Sequence, residues 1–110
     1  MPQEIRLKGP WEKTAAWARL TPGGALELEL YDYSEEAARW MGNDVAWIWR
    51  VAPGDLPAAR AAIAQQAPFA LTGGDQLLAA LAARFPHVHA VRDWLRHCGV
   101  PLEEKFDSWA

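Results

Sequence analysis

The six residues LELELY (26–31) decide the fold, because leucine alternates in them with glutamate and tyrosine. Successive side chains of a β-strand point to opposite faces, so the three leucines share one face and Glu27, Glu29 and Tyr31 share the other. One apolar and one polar face are typical of an antiparallel sheet that is covered on one side only. We therefore predict a sheet whose second face meets water, at least at this strand.

A hairpin is predicted to join this strand to the segment before it, through the turn TPGG (21–24). The proline presets one φ angle of the turn, and Gly23 is able to adopt a positive φ. If Ala16 and every second residue after it share the leucine face, then Trp17 and Arg19 lie on the glutamate face. The turn residues alone do not fix that register.

The segment DVAWIWRV (44–51) predicts an interior strand, because it is apolar at almost every position. Its alternation puts Trp47 and Trp49 on one side and Arg50 on the other. Both sides are mostly apolar, as expected for a strand inside a sheet. A shorter strand is predicted around Ile5, and the tail LEEKFDSWA (102–110) is interpreted as a returning edge strand.

Four helices are predicted from their terminal residues and their apolar spacing. Their limits are Ser34 and Gly42, Asp55 and Pro68, Gly74 and Pro86, and Val88 and Gly99. We expect Asp55 to cap its helix, and we expect Gly99 to end the last helix in a Schellman motif.

The predicted fold class is α+β, with one globular domain over residues 1–110. Its sheet has four to five strands, antiparallel or mixed, and the helices pack mainly on one face. A chain of 110 residues is the usual size of one domain and long enough to bury one core.

Charge and composition exclude several classes of partner. The net charge of −3 argues against nucleic acid, because duplex binding depends on many contacts from lysine and arginine to phosphate. We interpret Arg92 and Arg96 as a solvated helix face.

No apolar run approaches the length of a membrane span, and the amino terminus does not resemble a signal peptide, so we expect a soluble cytoplasmic protein. Cys98 is the only cysteine, which excludes an intrachain disulfide.

No set of catalytic residues is evident in the sequence, and no cofactor is predicted. Ser34 is explained as a helix cap, Ser108 lies in the tail, and Cys98 occupies an apolar helical position. The sequence TGGD (72–75) precedes a helix but lacks the lysine of a phosphate-binding loop.

His89, Asp93 and His97 follow one another at a spacing of four residues, which on one helix face suits a metal ion. They lie nearly opposite the apolar stripe of that helix, so we expect all three side chains to point into solvent and predict no metal site. An enzyme that uses His87, His89 or His97 is the least favoured of the functions that we considered.

Seven tryptophans are many for a chain of this size, and some of them are expected near the surface. The candidate binding surface consists of Trp17, Arg19, Glu27, Glu29 and Tyr31. It would be an aromatic and acidic patch with Asp32 on its rim, and Trp11 is a further surface candidate. Such a patch suits a basic protein partner or a second copy of the chain, because aromatic residues and arginine often anchor protein interfaces.

The favoured function is therefore non-enzymatic protein binding, by self-association or by capture of a basic partner. In general character the chain resembles the small acidic immunity proteins that neutralise bacterial toxins, a likeness of composition with no shared motif. The alternative is a small-ligand domain with an aromatic pocket between sheet and helices. Its candidate residues are Trp47 and Trp49, with Asp44 and Arg50 at the rim.

Overall fold

The computed structural model describes residues 3–33, 45–66 and 74–108. The strands are β1 (Gln3–Leu7), β2 (Thr14–Leu20), β3 (Leu26–Asp32), β4 (Val45–Val51) and β5 (Glu103–Ser108). A 3₁₀ turn (Pro53–Asp55) leads into α1 (Leu56–Ala64), and α2 (Gly74–Arg84) and α3 (Val88–His97) follow. The helix predicted between Ser34 and Gly42 lies outside these residues.

The five strands form one sheet in the order β1-β2-β3-β4-β5, and every neighbouring pair is antiparallel. The predicted α+β class is confirmed, and of the two sheet types left open the antiparallel one is observed. The returning edge strand is also present as β5.

The register gives the sheet two distinct faces. Leu28 lies between Ala18 and Trp49, and Leu30 lies between Ala16 and Trp47. We call this the inner face. The hairpin register that the turn left undecided therefore sets small alanines on β2 beside leucines on β3 and large indoles on β4.

The opposite face, which we call the outer face, carries the glutamates of β3. Trp17 is paired there with Glu29 and Arg19 with Glu27, as the alternation predicts. The condition that the sequence left open, that Ala16 shares the leucine face, is therefore met.

The hydrophobic core lies between the inner face and the three described helices. Helix α2 packs on β1 and β2, α3 packs on β3, and α1 contacts both of the other helices. The fully buried side chains include those of Leu26, Leu28, Leu30, Trp49, Ile63, Leu77, Leu81, Val88, Val91 and Leu95. On β5, by contrast, Phe106 shares the inner face with Trp47 yet is 43% exposed. The core is thus open to solvent at its β5 end.

Two local expectations need correction. Asp55 holds the N-cap position of α1, but its side chain makes no capping hydrogen bond. The reason is that the preceding 3₁₀ turn gives Asp55 a helical backbone, whereas a capping residue needs an extended one. In the hairpin, Gly24 rather than Gly23 has the positive φ, at +90°.

Helix α3 ends as predicted. Gly99 has φ +81°, its N–H donates to the carbonyl of Arg96 at 3.0 Å, and the N–H of Val100 donates to the carbonyl of Leu95 at 3.0 Å. These are the two hydrogen bonds of a Schellman motif, and Val100 packs in the same core as Leu95.

Candidate functional site

A cleft of about 200 Å³ opens where the inner face leaves the cover of the helices. Its lining comes from the β1–β2 loop, from β3, β4 and β5, and from α3, and we call it the tryptophan cleft. The lining residues are Trp11, Leu30, Trp47, Trp49, His89, Arg92 and Glu104. Segments that are far apart in the sequence thus meet at one place.

Trp49 forms the base of the tryptophan cleft, and two charged side chains are attached to its indole. The ring is only 1% exposed. Its Nε1 donates a hydrogen bond of 2.9 Å to Oε1 of Glu104, and the guanidinium carbon of Arg92 lies 5.0 Å from the ring centroid. The second contact lies within the usual distance of a cation–π interaction. One indole therefore positions a cation over its face and a carboxylate at its edge.

Trp11 forms one wall of the cleft and is 50% exposed. Its ring meets the ring of His89 edge-on, with 5.6 Å between the centroids. The pair has the T-shaped arrangement that aromatic rings prefer. An exposed tryptophan is therefore held in a defined position against α3.

The loop that carries Trp11 is connected to the fold on both sides. The carbonyl of Lys8 accepts a hydrogen bond of 3.0 Å from the N–H of Val88, and the carbonyl of Lys13 accepts one of 3.0 Å from the N–H of Tyr33. At Gly9 a Cβ atom would lie 1.8 Å from Oγ1 of Thr14, so only glycine fits there. These contacts fix the loop before any ligand arrives.

His89 lies between the rings of Trp11 and Trp49, with 5.7 Å between its centroid and that of Trp49. Partial burial lowers the pKa of His89 below its ordinary value of 6.5, and the electrostatic influence of Arg92 and His87 lowers it further. Asp93 acts in the opposite direction and is the weaker influence. The imidazole is therefore neutral at pH 7.

The expectation that His89, Asp93 and His97 all point into solvent is wrong for His89. This residue lies about 100° around the helix from buried Val88, at the flank of the apolar stripe, and the cleft reaches that flank. Asp93 and His97 are exposed, and His97 stacks on Trp94 with 5.6 Å between centroids. Within residues 3–33, 45–66 and 74–108, no three metal-binding side chains come together.

His87 has a role that the sequence did not reveal. Its Nδ1 accepts a hydrogen bond of 3.2 Å from the N–H of Ala90, so it caps the start of α3. Histidine is not among the preferred capping residues, which is why the prediction missed it. Its position directly before the apolar repeat of α3 was the available signal.

The residues predicted for an aromatic pocket do not all meet. Trp47 and Trp49 both line the tryptophan cleft, and Trp47 also contacts the ring of Phe106 at 5.3 Å. Placing Arg50 at the pocket rim was wrong, because the register puts this residue on the outer face. There its Nη1 lies 3.3 Å from Oε2 of Glu103. Asp44 lies outside the described residues.

The candidate surface on the outer face contains a network of ion pairs. Arg19 contacts Glu4 at 3.0 Å, Glu27 at 3.5 Å and Glu29 at 2.7 Å. Burial alone would lower the pKa of Arg19, but the hydrogen bonds and charges of Glu29 and Glu4 outweigh it and raise the pKa. Arg19 therefore offsets part of the negative charge predicted for this surface.

The aromatic residues of the outer face are also engaged. The guanidinium carbon of Arg6 lies 5.1 Å from the centroid of the half-buried Trp17 ring, and Tyr31 stacks on Tyr33 at 6.0 Å. Asp32 was expected on the rim of this surface. It is 7% exposed, because the alternation of β3 turns it to the inner face. The five candidate residues do share one face, but Asp32 is not among their neighbours there.

Comparison with protein-family models, with curated proteins and with solved structures found no match. None of the helices in the described ranges has the length and apolar character needed to cross a membrane.

Three members of the cleft were missed at the level of sequence. Arg92 was assigned to a solvated helix face, Glu104 to an ambiguous tail, and His89 to solvent. Trp11 was recognised as a surface residue, but its partners were not. These residues come together only through tertiary packing, and no local pattern reveals that.

Proposed function

We propose that this chain is a non-enzymatic binding domain that holds a small planar ligand in the tryptophan cleft. The observation that carries the proposal is the convergence of three tryptophans with Arg92, His89 and Glu104 on one preformed opening. Ligand sites are usually concave and apolar, with a few placed polar groups. The cleft has this composition.

The size of the cleft favours a ligand smaller than a typical drug molecule. Its volume of about 200 Å³ lies below the range of roughly 300–1,000 Å³ that is common for drug-sized ligands. Trp11 and Trp47 offer partly exposed rings as walls, and buried Leu30 adds an apolar contact. A single flat ring with one or two polar substituents matches these dimensions.

The fixed loop of Trp11 supports the same proposal. A tryptophan that stays exposed forgoes the free energy of burying its ring. Because the loop orders Trp11 before binding, less conformational entropy is lost when a ligand binds. The hydrogen bonds of Lys8 and Lys13 supply that order. Preorganisation of this kind favours ligand binding.

Saturation-transfer NMR with a set of aromatic acids, amines, zwitterions and neutral heteroaromatic compounds tests the proposal. We expect at least one class to bind the wild type and to lose its signal with Trp11→Ala. The control is Trp17→Phe, which changes a tryptophan on the opposite face and should leave binding intact. If no class binds, or if binding survives in Trp11→Ala, the proposal is refuted.

Protein binding through the outer face is the second proposal. It is supported by the position of the core, since all three described helices pack on the inner face. Arg19 offsets one of the three glutamate charges around it, so these four side chains keep net negative charge that suits a basic partner, and a second copy of the chain is the alternative tested first. Light scattering should then give a dimer for the wild type and a monomer for a folded Trp17→Ala, Tyr31→Ala variant. A monomeric wild type would exclude self-association.

We also propose a cytoplasmic location. The single cysteine, Cys98, is partly buried against the core and is free, which suits a reducing compartment. Cell fractionation of the expressed full chain tests this. Recovery in a secreted or membrane fraction would contradict it.

A further inference from the structure

We infer that the ligand of the tryptophan cleft is a small zwitterion, an aromatic amino acid or a close analogue, with its carboxylate at Arg92 and its ammonium group at Glu104. The inference rests on the proposed function and names the ligand class. It follows from how the two charged side chains are held.

Arg92 is positioned before binding. Its Nε and Nη2 both lie 2.9 Å from Oδ1 of Asp93, and its guanidinium lies over the indole of Trp49. The planar guanidinium has five N–H donors, and the contacts with Asp93 use one edge of the fork. The remaining donors suit a carboxylate, which arginine binds through two parallel hydrogen bonds.

Glu104 is positioned in the same way. Only its Oε1 accepts the hydrogen bond from Nε1 of Trp49. An ionised carboxylate has about four acceptor positions, so this contact leaves capacity for the donors of an ammonium group. The residue belongs to β5, an edge strand, and its side chain reaches the cleft from the exposed end of the sheet.

The charge balance of the lining disfavours ligands that carry a single charge. His89 is neutral at pH 7, so the lining carries one positive charge on Arg92 and one negative charge on Glu104. Asp93 contacts one edge of the Arg92 guanidinium, but it is 63% exposed and does not line the cleft, so it weakens the attraction of Arg92 for a carboxylate without cancelling it. A ligand with a single charge would pair with one side chain and lie against a like charge on the other. A zwitterion satisfies both.

The aromatic residues that line the cleft indicate which kind of side chain the zwitterion carries. Trp11 and Trp47 both line the cleft with partly exposed rings, and offset or edge-to-face contacts of these rings with a third ring are favourable. We therefore expect an aromatic side chain on the zwitterion.

Isothermal titration with three matched compounds tests the inference: L-phenylalanine, phenethylamine, which lacks the carboxylate, and 3-phenylpropionate, which lacks the amine. We expect L-phenylalanine to bind the wild type at least about tenfold more tightly than either analogue, because each lost pair is a charge-assisted hydrogen bond. Arg92→Gln should weaken L-phenylalanine about tenfold, whereas phenethylamine should bind at least as tightly as before, because its ammonium group loses a like charge beside it. Glu104→Gln, which keeps an acceptor for Trp49, should weaken L-phenylalanine, whereas 3-phenylpropionate should bind at least as tightly as before, because its carboxylate loses a like charge.

Two control variants keep the test specific. Arg96→Gln removes an exposed arginine one turn further along α3, and Glu103→Gln removes the neighbouring glutamate, which contacts Arg50 on the outer face. Neither should change the three affinities, and circular dichroism melting of every variant verifies folding. A change equal to that of Arg92→Gln or Glu104→Gln would overturn the assignment.

The outcomes separate this inference from the proposed function. If either analogue binds as tightly as L-phenylalanine, or none of the three binds, the zwitterion is refuted. The proposed function still stands in that case if another compound of the NMR set binds and depends on Trp11. If nothing in that set binds either, both proposals fall.

Discussion

Replacing Trp49 by phenylalanine probes the base of the tryptophan cleft and the core at the same time. The indole is 1% exposed, donates to Glu104 and lies under Arg92. Phenylalanine keeps an aromatic ring on the inner face but removes the N–H donor and part of the ring volume. We expect the free energy of unfolding to fall by about 2 kcal/mol.

Three contributions make up this magnitude. The smaller ring leaves a void of about 40 Å³, which at roughly 24 cal/mol per Å³ costs about 1 kcal/mol. The lost hydrogen bond costs about 0.5–1 kcal/mol, because exposed Glu104 regains water when its donor is removed. The weaker attraction of Arg92 to a phenyl ring adds up to about 0.5 kcal/mol.

Urea unfolding followed by far-ultraviolet circular dichroism measures the change, with Trp17→Phe as the matched control. Trp17 lies on the outer face and is only half-buried, so its substitution should cost less than about 1 kcal/mol. A double-mutant cycle of Trp49→Phe with Glu104→Ala isolates the hydrogen bond. We expect a coupling free energy of about 0.5–1 kcal/mol.

The packing argument is refuted if Trp49→Phe costs less than about 0.5 kcal/mol, since a fully enclosed indole cannot be trimmed without loss. A coupling of zero would show that Trp49 does not hold Glu104. The zwitterion inference would then lose its fixed carboxylate.

Three further predictions concern the rest of the fold. Gly99→Ala should lower stability by about 1 kcal/mol, because a Cβ atom is strained at φ +81°, and thermal melting against a Gly54→Ala control measures this. Arg19→Gln should cost about 1 kcal/mol at low salt and less at high salt, because it leaves three glutamates together; an equal loss in both would contradict the ion-pair network. Stability should fall as pH drops below about 6.5, since His89 has a lower pKa in the folded chain, so the unfolded chain binds more protons; His89→Gln should reduce this slope, and an unchanged slope in that variant would contradict the shift.

The sequence predicted the sheet well wherever the two-residue alternation within one segment was sufficient evidence. The alternation of LELELY (26–31) assigned both faces of β3, whereas the face of Trp17 and Arg19 on β2 depended on a register that only the structure supplies. The first assignment needs only the two-residue period of a strand. The Schellman end of α3 was equally local, because glycine after an apolar repeat is sufficient to predict it.

The site was not predictable in the same way. Trp11 comes from a loop, Arg92 from a helix and Glu104 from an edge strand, and no periodicity relates them. His89 is the clearest example. Its position in the helix predicts that it lies at the flank of the apolar stripe of α3, but whether that flank meets water depends on which residues of the sheet lie beside it. The prediction of Arg50 at the rim ignored the alternation that places it on the outer face.

The antiparallel order of the sheet has a kinetic consequence for the cleft. Strands β1, β2 and β3 pair with neighbours along the chain, whereas Trp49 and Glu104 are 55 positions apart, with all three described helices between them in the sequence. Closing so long a loop is entropically costly, so this pairing belongs among the slow contacts of folding. The cleft is therefore completed late, and a ligand that binds it selects chains that have finished folding. Its presence would raise the melting temperature by mass action alone.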